Sequence, residues 1–267
     1  MGSTDWIPAE VDTDRPSAAR LYDYYLGGGH HFAADRELAQ RIYQVVPETP
    51  YMARMNRAFL RRATEFCARQ GIRQFLDLGC GLPTTGAVHE IAQAIDPAAR
   101  VMYVDDEPVA VAHSELILEH HDNTAVLHAD LRNPDHVLNH PRTRRLLDLS
   151  QPVALLTVAV LHFVSDADDP AGIIRRYREA MAPGSYFVLS HGTGDTLFAE
   201  GQSVVELYRD SQNPGYLRTK AEVAALLDGF DLVEPGLVFV PRWRPASPED
   251  AEDAERSSFY GAVGLRR

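Results

Sequence analysis

The chain has 267 residues, 45% of them hydrophobic and 24% charged, which is the composition of a globular protein with one substantial core. Its formal net charge of −12 disfavours a nucleic-acid partner, because phosphate backbones are bound by basic surfaces. The sequence shows no apolar run of roughly 18 residues, no signal-peptide pattern and only two cysteines, so we expect no membrane span, no structural disulfide and a cytoplasmic protein.

Helical patterns dominate residues 1–70. Apolar side chains recur at three- and four-residue steps, and a glycine or a proline follows each run. The predicted helices are residues 17–26, 33–46 and 51–70. We interpret residues 1–70 as a helical cap that belongs to the same domain as residues 71–267. Three consecutive glycines at residues 27–29 favour a lid over a ligand with Tyr24 as a contact, although tyrosines at helical spacing are more often part of a core.

Two polar residues interrupt the apolar pattern of the third predicted helix. These residues are Asn56 and Arg57. A guanidinium group binds carboxylates through paired hydrogen bonds, so Arg57 is a candidate contact for the carboxylate of a ligand. Asn56 is a second candidate contact. The alternative is a solvated helix face, which is the usual position of arginine side chains.

Residues 75–86 read FLDLGCGLPTTG and are the most informative stretch of the chain. Four residues of strand type lead into a glycine-rich turn, and a segment compatible with a helix follows. Glycines in such a turn let the backbone approach a ligand closely, and the N-terminus of the next helix directs free N–H groups to the same place. The predicted ligand contacts are Asp77, Gly79, Cys80, Gly81 and Leu82.

This turn fits S-adenosylmethionine better than NAD. Asp77 places a carboxylate beside the turn, where it would repel a pyrophosphate and attract an ammonium group. The NAD fingerprint also requires a third glycine three places after the second, and the chain has Thr84 there, preceded by Pro83. Tight turns without any ligand also use Gly-x-Gly, so the motif alone leaves both alternatives open.

Carboxylates also follow the next two predicted strands. Asp105 and Asp106 end the second strand, and Asp130 and Leu131 follow the third. The carboxyl ends of parallel strands meet at one edge of a sheet, where open α/β folds bind ligands. Asp105 would accept the hydroxyls of a ribose with Asp106 beside it, Asp130 would accept the adenine amino group, and Leu131 would cover the ring. The alternative is that each aspartate only caps the following helix.

Two further apolar segments, residues 153–164 and 185–190, predict the fourth and fifth strands. Ala159 in the first of these is a predicted cofactor contact. His162 follows the fourth strand, and its ordinary pKa near 6.5 suits a general base beside an acceptor. His191 after the fifth strand has a similar but weaker case. A buried histidine that is held by hydrogen bonds is the alternative for both.

With these residues, the chain resembles the class I S-adenosylmethionine-dependent methyltransferases from about residue 72 onward. The matching segments at four strand ends read DLGCG, YVDDEP, HADLRNP and AVLHFV. More closely, the chain resembles an actinobacterial methyltransferase family formerly labelled as a domain of unknown function. The strings that carry this second resemblance are RPSAARLYDYYLGGGHHFAADR, ARMNRAFLRRA and RQFLDLGCGLPTTG.

The resemblance implies a doubly wound, mostly parallel, Rossmann-like α/β sheet of seven strands with an antiparallel C-terminal strand and the helical cap. Residues 232–240 and 259–265 have strand-type patterns and would form the last two strands. Residues 241–257 contain prolines and serines among acidic residues, which predicts an exposed loop between them.

The resemblance also implies S-adenosylmethionine as the cofactor, but it leaves the acceptor open. We expect a methyltransferase that moves a methyl group by in-line displacement to an oxygen or nitrogen of a small-molecule acceptor. A module that binds S-adenosylmethionine without transferring its methyl group is one alternative, and an NAD-dependent oxidoreductase is another. We expect no metal site, because His30 and His31 are adjacent and no cysteine or carboxylate lies at ligand spacing from them.

Overall fold

The computed structural model of the chain describes residues 11–82, 86–119, 121–196 and 198–267. The described strands are β1 (Gln74–Leu78), β2 (Arg100–Asp105), β3 (Thr124–His128), β4 (Ala154–Val158), β5 (Tyr186–Gly192), β6 (Asp231–Leu232), β7 (Val238–Phe239) and β8 (Phe259–Leu265). The described helices are α1 (Ala18–Tyr25), α2 (Ala33–Val45), α3 (Thr49–Arg69), α4 (Val88–Ile95), α5 (Pro108–Leu118), α6 (Pro134–Asn139), α7 (Pro141–Leu146), α8 (Pro170–Ala180), α9 (Phe198–Tyr208) and α10 (Lys220–Ala225).

The strands form one sheet in the order β3-β2-β1-β4-β5-β8-β6, and β7 also pairs with β8. The first five strands are parallel, whereas β8 runs antiparallel to β5. The strand order reverses between β1 and β4. In open α/β sheets, such a switch point opens a crevice at the carboxyl ends of the strands.

Helices cover both faces of this sheet, which explains why its central strands are apolar almost throughout. Leu76 of β1 packs in one buried cluster with Tyr177 of α8, and Phe75 packs in a second buried cluster with Phe59 of α3. Successive strand residues point to opposite faces, so a strand that is buried on both sides needs apolar residues at consecutive positions. The helix α3 of the cap therefore shares a core with the sheet.

The predicted fold is confirmed, with two local differences. The predicted strand at residues 232–240 is two short strands, β6 and β7, which raises the strand count to eight. Gly236 lies between them with a φ of +83°, a conformation that interrupts a strand. The predicted fourth strand, residues 153–164, ends at Val158, and a short 3₁₀ turn follows at Leu161–Phe163.

The segment 241–257 is exposed over much of its length, as its composition predicts, but it also carries a buried anchor that the composition does not predict. It contains 3₁₀ turns, and the side chain of Trp243 is fully buried. The Trp243 ring packs edge-on against Phe59 and Phe66 of α3, with ring centroids 5.5 and 5.8 Å away. Because the residues around Trp243 are mostly polar, the sequence pattern does not predict that its side chain is buried.

The three predicted helices of residues 1–70 are α1, α2 and α3. A further helix that no sequence pattern predicted, α9, follows β5 and lies against α2, so the cap includes α9 as well as residues 1–70. Arg20 of α1 is fully buried and donates hydrogen bonds to Asp35 at 2.9 Å and to Glu107 at 2.5 Å. The ion pair with Asp35 joins α1 to α2, and the ion pair with Glu107 joins α1 to the turn after β2. Among the described residues, no helix is long and apolar enough to cross a membrane.

Candidate active site

A cavity of about 460 Å³ lies at the carboxyl ends of the parallel strands, between the sheet and the cap. Its lining includes the turns after β1, β2, β3 and β4, together with residues of α1, α2, α3 and α9. This volume is typical of a site for a small molecule. The cavity lies at the switch point of the sheet, where the carboxylates at successive strand ends predict a ligand site.

The glycine turn after β1 lines this cavity, and a side chain would have different consequences at its two glycines. Gly79 and Gly81 have φ values of +66° and +60°, which favour glycine. A Cβ atom on Gly79 would clash with the side chain of Val160, so the turn after β4, rather than a ligand, requires this glycine. A Cβ atom on Gly81 would meet only the Cβ of Ala19, at 4.0 Å. Cys80 also lines the cavity.

Asp77 is a buried carboxylate at the cavity wall, with only 6% of its surface exposed. Its carboxylate has no hydrogen-bond partner among the residues that the structure describes. Burial raises its pKa from the usual 3.8 to about 7, the charge of Arg57 opposes this rise, and the nearby Asp105 adds to it. The site therefore holds a carboxylate that a cationic ligand group would stabilise.

Asp105 lies at the end of β2 and also lines the cavity. Its carboxylate accepts hydrogen bonds from the backbone N–H groups of Gly81 at 2.7 Å and Glu107 at 2.9 Å. Burial raises the pKa of Asp105 to about 7, and the like charge of Asp106 adds to this rise. Asp106 is exposed and contributes to the cavity lining.

Asp105 and Asp130 are not the caps of the helices that follow them. Glu107 caps α5 by accepting a hydrogen bond from the Ala110 N–H at 2.7 Å, and Asn133 caps α6. The alternative that Asp105 and Asp130 merely cap helices is therefore wrong. No sequence pattern predicted the structural role of Glu107, which combines helix capping with the ion pair to Arg20.

Asp130 and Leu131 lie on the cavity wall beyond the end of β3. Leu131 is buried, whereas Asp130 is partly exposed and accepts a hydrogen bond from the Arg132 Nε at 2.8 Å. Arg132 also lies 3.9 Å from Asp168 in an ion pair. Arg132 lies between Asp130 and Asp168, so opposite charges alternate at the rim of the cavity. No sequence pattern indicated this arginine.

Asn56 and Arg57 of α3 both line the cavity. Asn56 is buried; its amide donates to the hydroxyl of Tyr22 at 2.8 Å and accepts from the hydroxyl of Ser190 at 2.5 Å. Asn56 thus connects the cap to β5 inside the protein. Arg57 donates to the carbonyl of Gly86 at 3.1 Å and remains close enough to Asp77 to lower its pKa.

Ala159 adopts a left-handed backbone conformation with a φ of +57° at the cavity wall. Its N–H donates to the hydroxyl of Ser190 at 3.0 Å. A left-handed alanine costs on the order of 1–3 kcal/mol, which the surrounding structure must offset. The turn after β4 bends sharply here, and this bend turns His162 toward the cavity.

The structure does not bring Tyr24 and Leu82 to the cavity. The hydroxyl of Tyr24 accepts a hydrogen bond from the Gln40 side chain at 2.9 Å, and its ring stacks on Tyr43. Tyr22 and Tyr25 line the cavity instead, because residues three apart share one face of a helix. Leu82 packs in a small apolar cluster beside α5.

His162 lines the cavity, as predicted, but its surroundings oppose the role of a general base. Burial lowers its pKa well below the usual 6.5, and the neighbouring His191 and Arg218 lower it further. The N–H of Gly192 points at the His162 Nδ1, 3.4 Å away, so Nδ1 is the unprotonated nitrogen and Nε2 carries the hydrogen. His162 is therefore a neutral donor at the cavity.

Arg218 holds the turn that carries His162. It is buried and donates to the backbone carbonyls of Leu161 at 3.0 Å and Val164 at 2.8 Å. It also donates to the His191 Nε2 at 2.8 Å. Burial lowers the pKa of His191 to about 4, so this ring is neutral and its structural role differs from the predicted one. No sequence pattern indicated Arg218.

Five aromatic side chains form a continuous wall on the cap-facing part of the cavity. We call this set the aromatic wall, and its members are Tyr25, Tyr208, Phe163, His162 and Phe259. The hydroxyls of Tyr25 and Tyr208 are 3.0 Å apart. Ring centroids lie 5.8 Å apart for Tyr208 and Phe163, 4.3 Å for Phe163 and His162, and 5.7 Å for His162 and Phe259.

Three further predictions concern the NAD fingerprint, the cysteines and a metal site. Pro83 and Thr84, on which the argument against NAD rests in part, lie outside the described residues. Both cysteines, Cys67 and Cys80, are free. Within the described ranges, no group of three or more His, Cys, Asp or Glu side chains could hold a metal ion.

The doubly wound sheet and the cavity at its switch point define a Rossmann-like protein of the methyltransferase type. A family model described as S-adenosyl methyltransferase matches residues 4–267, and the chain belongs to this family. Family membership implies S-adenosylmethionine as the methyl donor.

Two crystal structures are similar to the chain over almost its whole length. A candidate methyltransferase from Thermobifida fusca YX is 38% identical over 99% of this chain and 100% of that protein, with a TM-score of 0.92. A DUF574 family protein from Streptomyces avermitilis MA-4680 is 39% identical over 96% of this chain and 99% of that protein, with a TM-score of 0.91. No curated protein matches the sequence.

Proposed function

We propose that the chain transfers a methyl group from S-adenosylmethionine to an oxygen or nitrogen of a small-molecule acceptor that binds in the same cavity. Asp77 is the observation that carries this proposal. Its buried carboxylate faces the cavity without a hydrogen-bond partner among the described residues. A ligand with an ammonium and a sulfonium group provides the hydrogen-bond donor that this carboxylate lacks and adds to the positive charge of Arg57.

The residues of the strand-end turns fit such a ligand in kind and in order. Asp77 would bind the ammonium group, Arg57 the carboxylate of the methionine part, and Asp105 the ribose hydroxyls. Each of these side chains lines the cavity. The other proposed cofactor contacts are Gly79, Cys80, Gly81, Asp106, Asp130, Leu131, Ala159 and Asn56, all of which also line it.

Bound S-adenosylmethionine would supply a methyl group that its sulfonium already activates; the sulfur would leave as a thioether when the acceptor oxygen or nitrogen takes the methyl group, and the acceptor would release its proton to bulk solvent. The protein contributes alignment and exclusion of water, which together are worth roughly 7–11 kcal/mol in well-oriented reactions. Arg218 contributes by fixing the turn after β4. His162 contributes a hydrogen-bond donor that orients the acceptor.

Calorimetric titration with S-adenosylmethionine, S-adenosylhomocysteine and NAD tests the cofactor part of the proposal. We expect the first two to bind and NAD not to bind. Incubation with S-adenosylmethionine and a mixture of metabolites then tests transfer, which mass spectrometry detects as a gain of one methylene group. Binding of S-adenosylmethionine without any methylated product would favour a binding module, and binding of NAD alone would favour an oxidoreductase.

A further inference from the structure

The cavity extends beyond the strand-end turns into a region that the cofactor residues do not use. We call this region the cap-side end. It is lined by the aromatic wall and by Tyr22, Ile42 and Val204 of the cap helices. Tyr25, Ile42, Tyr22, Val204 and Tyr208 also pack together in one apolar cluster. The acceptor would therefore meet a surface made mainly of aromatic and aliphatic carbon.

The cap-side end carries no charge that could pair with a charged acceptor. In the part of the chain that the structure describes, the charged side chains lining the cavity lie on α3, near the carboxyl ends of β1 and β2, or on the segments that follow β2, β3 and β4. Helices α1, α2 and α9 contribute only uncharged side chains to the lining, as far as these are described. A charged acceptor would lose its hydration there without gaining a counterion, which is costly.

The polar groups of the cap-side end already bond to one another. The hydroxyls of Tyr25 and Tyr208 share a hydrogen bond of 3.0 Å. The hydroxyl of Tyr22 donates to the carbonyl of Ala53 at 3.2 Å and accepts from Asn56 at 2.8 Å. Groups that are satisfied in this way need no partner from a ligand, so the surface suits a molecule with few polar atoms.

His162 differs from these groups, because its Nε2–H has no hydrogen-bond partner among the described residues. The ring belongs to the aromatic wall and lines the cavity. It can therefore offer one donor to an acceptor that otherwise makes apolar contacts. Flat aromatic molecules gain additional energy against such a wall through offset and edge-to-face ring contacts.

Building on the proposed methyl transfer, we infer that the acceptor is an uncharged aromatic small molecule whose ring lies against the aromatic wall and whose hydroxyl or amino group receives the methyl group. The inference follows from the chemistry of the cap-side end, whose described residues offer aromatic rings, no charge and a single free donor. It excludes sugar phosphates, amino acids and nucleotides as acceptors.

Binding of two matched probes to the protein loaded with S-adenosylhomocysteine tests this inference. The probes are 2-naphthol and 6-hydroxy-2-naphthoate, which differ by one carboxylate. We expect 2-naphthol to bind at least about tenfold more tightly, because the carboxylate has no partner at the cap-side end. Equal or tighter binding of the naphthoate, or no saturable binding of 2-naphthol, would overturn the inference.

A pair of lysine substitutions on α9 locates the binding site of the probes. Val204 lines the cavity, whereas Glu206 is exposed on the same helix and does not line it. Val204→Lys should weaken 2-naphthol binding, so that the two probes bind with equal affinity or 6-hydroxy-2-naphthoate binds more tightly. Glu206→Lys should keep the preference for 2-naphthol. An unchanged preference in Val204→Lys would place the probes elsewhere and contradict the inference.

Titration of each variant with S-adenosylhomocysteine separates the two proposals. If S-adenosylhomocysteine does not bind to the unmodified protein, the proposed function itself fails. If it binds normally but the probes show the opposite preference, only the acceptor class is wrong. Normal binding to Val204→Lys would also show that this variant is folded.

Discussion

The two ends of the cavity are built in different ways. At the strand-end turns, Asp77 and Asp105 lie in the last two residues of β1 and β2, so each side chain has a position fixed by its own strand. At the cap-side end, Tyr25, Phe163 and Tyr208 come from three distant segments and meet through ring and hydroxyl contacts. The strand-end turns offer individual charged groups, whereas the cap-side end offers an apolar surface to which several side chains contribute.

This difference separates recognition by charge from recognition by shape. A buried carboxylate binds its ligand through one strong interaction, so its loss is costly. An apolar wall distributes its binding energy over many weak contacts, so the loss of one member costs less. We therefore expect single substitutions at the strand-end turns to have larger effects than those at the cap-side end.

Replacement of Asp77 should have the largest effect. Asp77→Asn keeps the size of the side chain but removes the charge, and we expect S-adenosylmethionine affinity at pH 8 to fall by about 3–5 kcal/mol, the cost of breaking a buried ion pair. Calorimetry would measure this loss. The exposed Glu206→Lys variant serves as a control with unchanged affinity. Normal affinity in Asp77→Asn would show that the ammonium group binds elsewhere.

Replacement of Asp105 should have the next largest effect. Asp105→Ala removes the proposed ribose contact, and we expect a loss of about 1.5–3 kcal/mol, the range for hydrogen bonds to a charged group. Asp130 is partly exposed and already paired with Arg132, so Asp130→Ala should cost less. Calorimetry of both variants tests this order, and a larger loss for Asp130→Ala would reverse our assignment of the two carboxylates.

The sequence predicts the strand-end turns well because each of their residues lies next to its own strand. Asp77, Asp105 and Asp130 follow apolar strand segments, and the parallel sheet places them side by side. Tyr24 is a predicted ligand contact, and its residue type suits that role, but it does not line the cavity. The prediction was not wrong about the chemistry of tyrosine. It failed because the orientation of α1 about its axis, which brings Tyr22 and Tyr25 to the cavity, depends on packing against distant helices.

The cap-side end could not be predicted for the same reason. Tyr208 contacts the cavity only because α9 lies against α2, more than 150 residues away along the chain. Arg218 binds carbonyls of a turn some 50 residues earlier, and nothing local marks it as buried. Trp243 lies within a polar segment, so its burial against α3 follows from tertiary packing alone.

Acid should weaken cofactor binding through Asp77. The folded pKa of Asp77 is about 7, above the usual 3.8, and a bound cation needs the ionised form. Below pH 7 the carboxyl must release a proton on binding, so we expect S-adenosylmethionine affinity to fall up to about tenfold per pH unit and to level off above pH 8. Calorimetry at pH 6.5 in buffers of different ionisation enthalpy should detect the released proton.

The same pKa has the opposite consequence for the protein without ligand. A carboxyl with a raised folded pKa stabilises the protein below its unfolded pKa, and this contribution is lost as pH rises through about 7. We therefore expect the melting temperature of the ligand-free protein to fall between pH 5.5 and pH 8.5. Asp77→Asn should reduce this fall, and the raised pKa of Asp105 should account for part of the remainder. A profile that is unchanged by the substitution would contradict the assignment of the pKa to Asp77.

His162 should show the smallest effect, although it lines the part of the cavity proposed to hold the acceptor. Its pKa is lowered by burial and by its neighbours His191 and Arg218, so it does not readily accept a proton. We expect His162→Ala to lower turnover less than about tenfold and to raise the KM for the acceptor, because a positioning donor is lost while alignment by the rest of the cavity remains.

Three measurements distinguish this role from general-base catalysis. The pH–rate profile of His162→Ala should keep its shape near neutrality, S-adenosylmethionine affinity should stay unchanged, and His162→Gln should recover part of the KM because its amide also donates. A general base would instead contribute about 10²–10⁴-fold. A loss of that size, together with the disappearance of an ionisation near neutrality, would show that His162 accepts a proton during the reaction. Recognition at the cap-side end would then depend on a charged group as well as on apolar contacts.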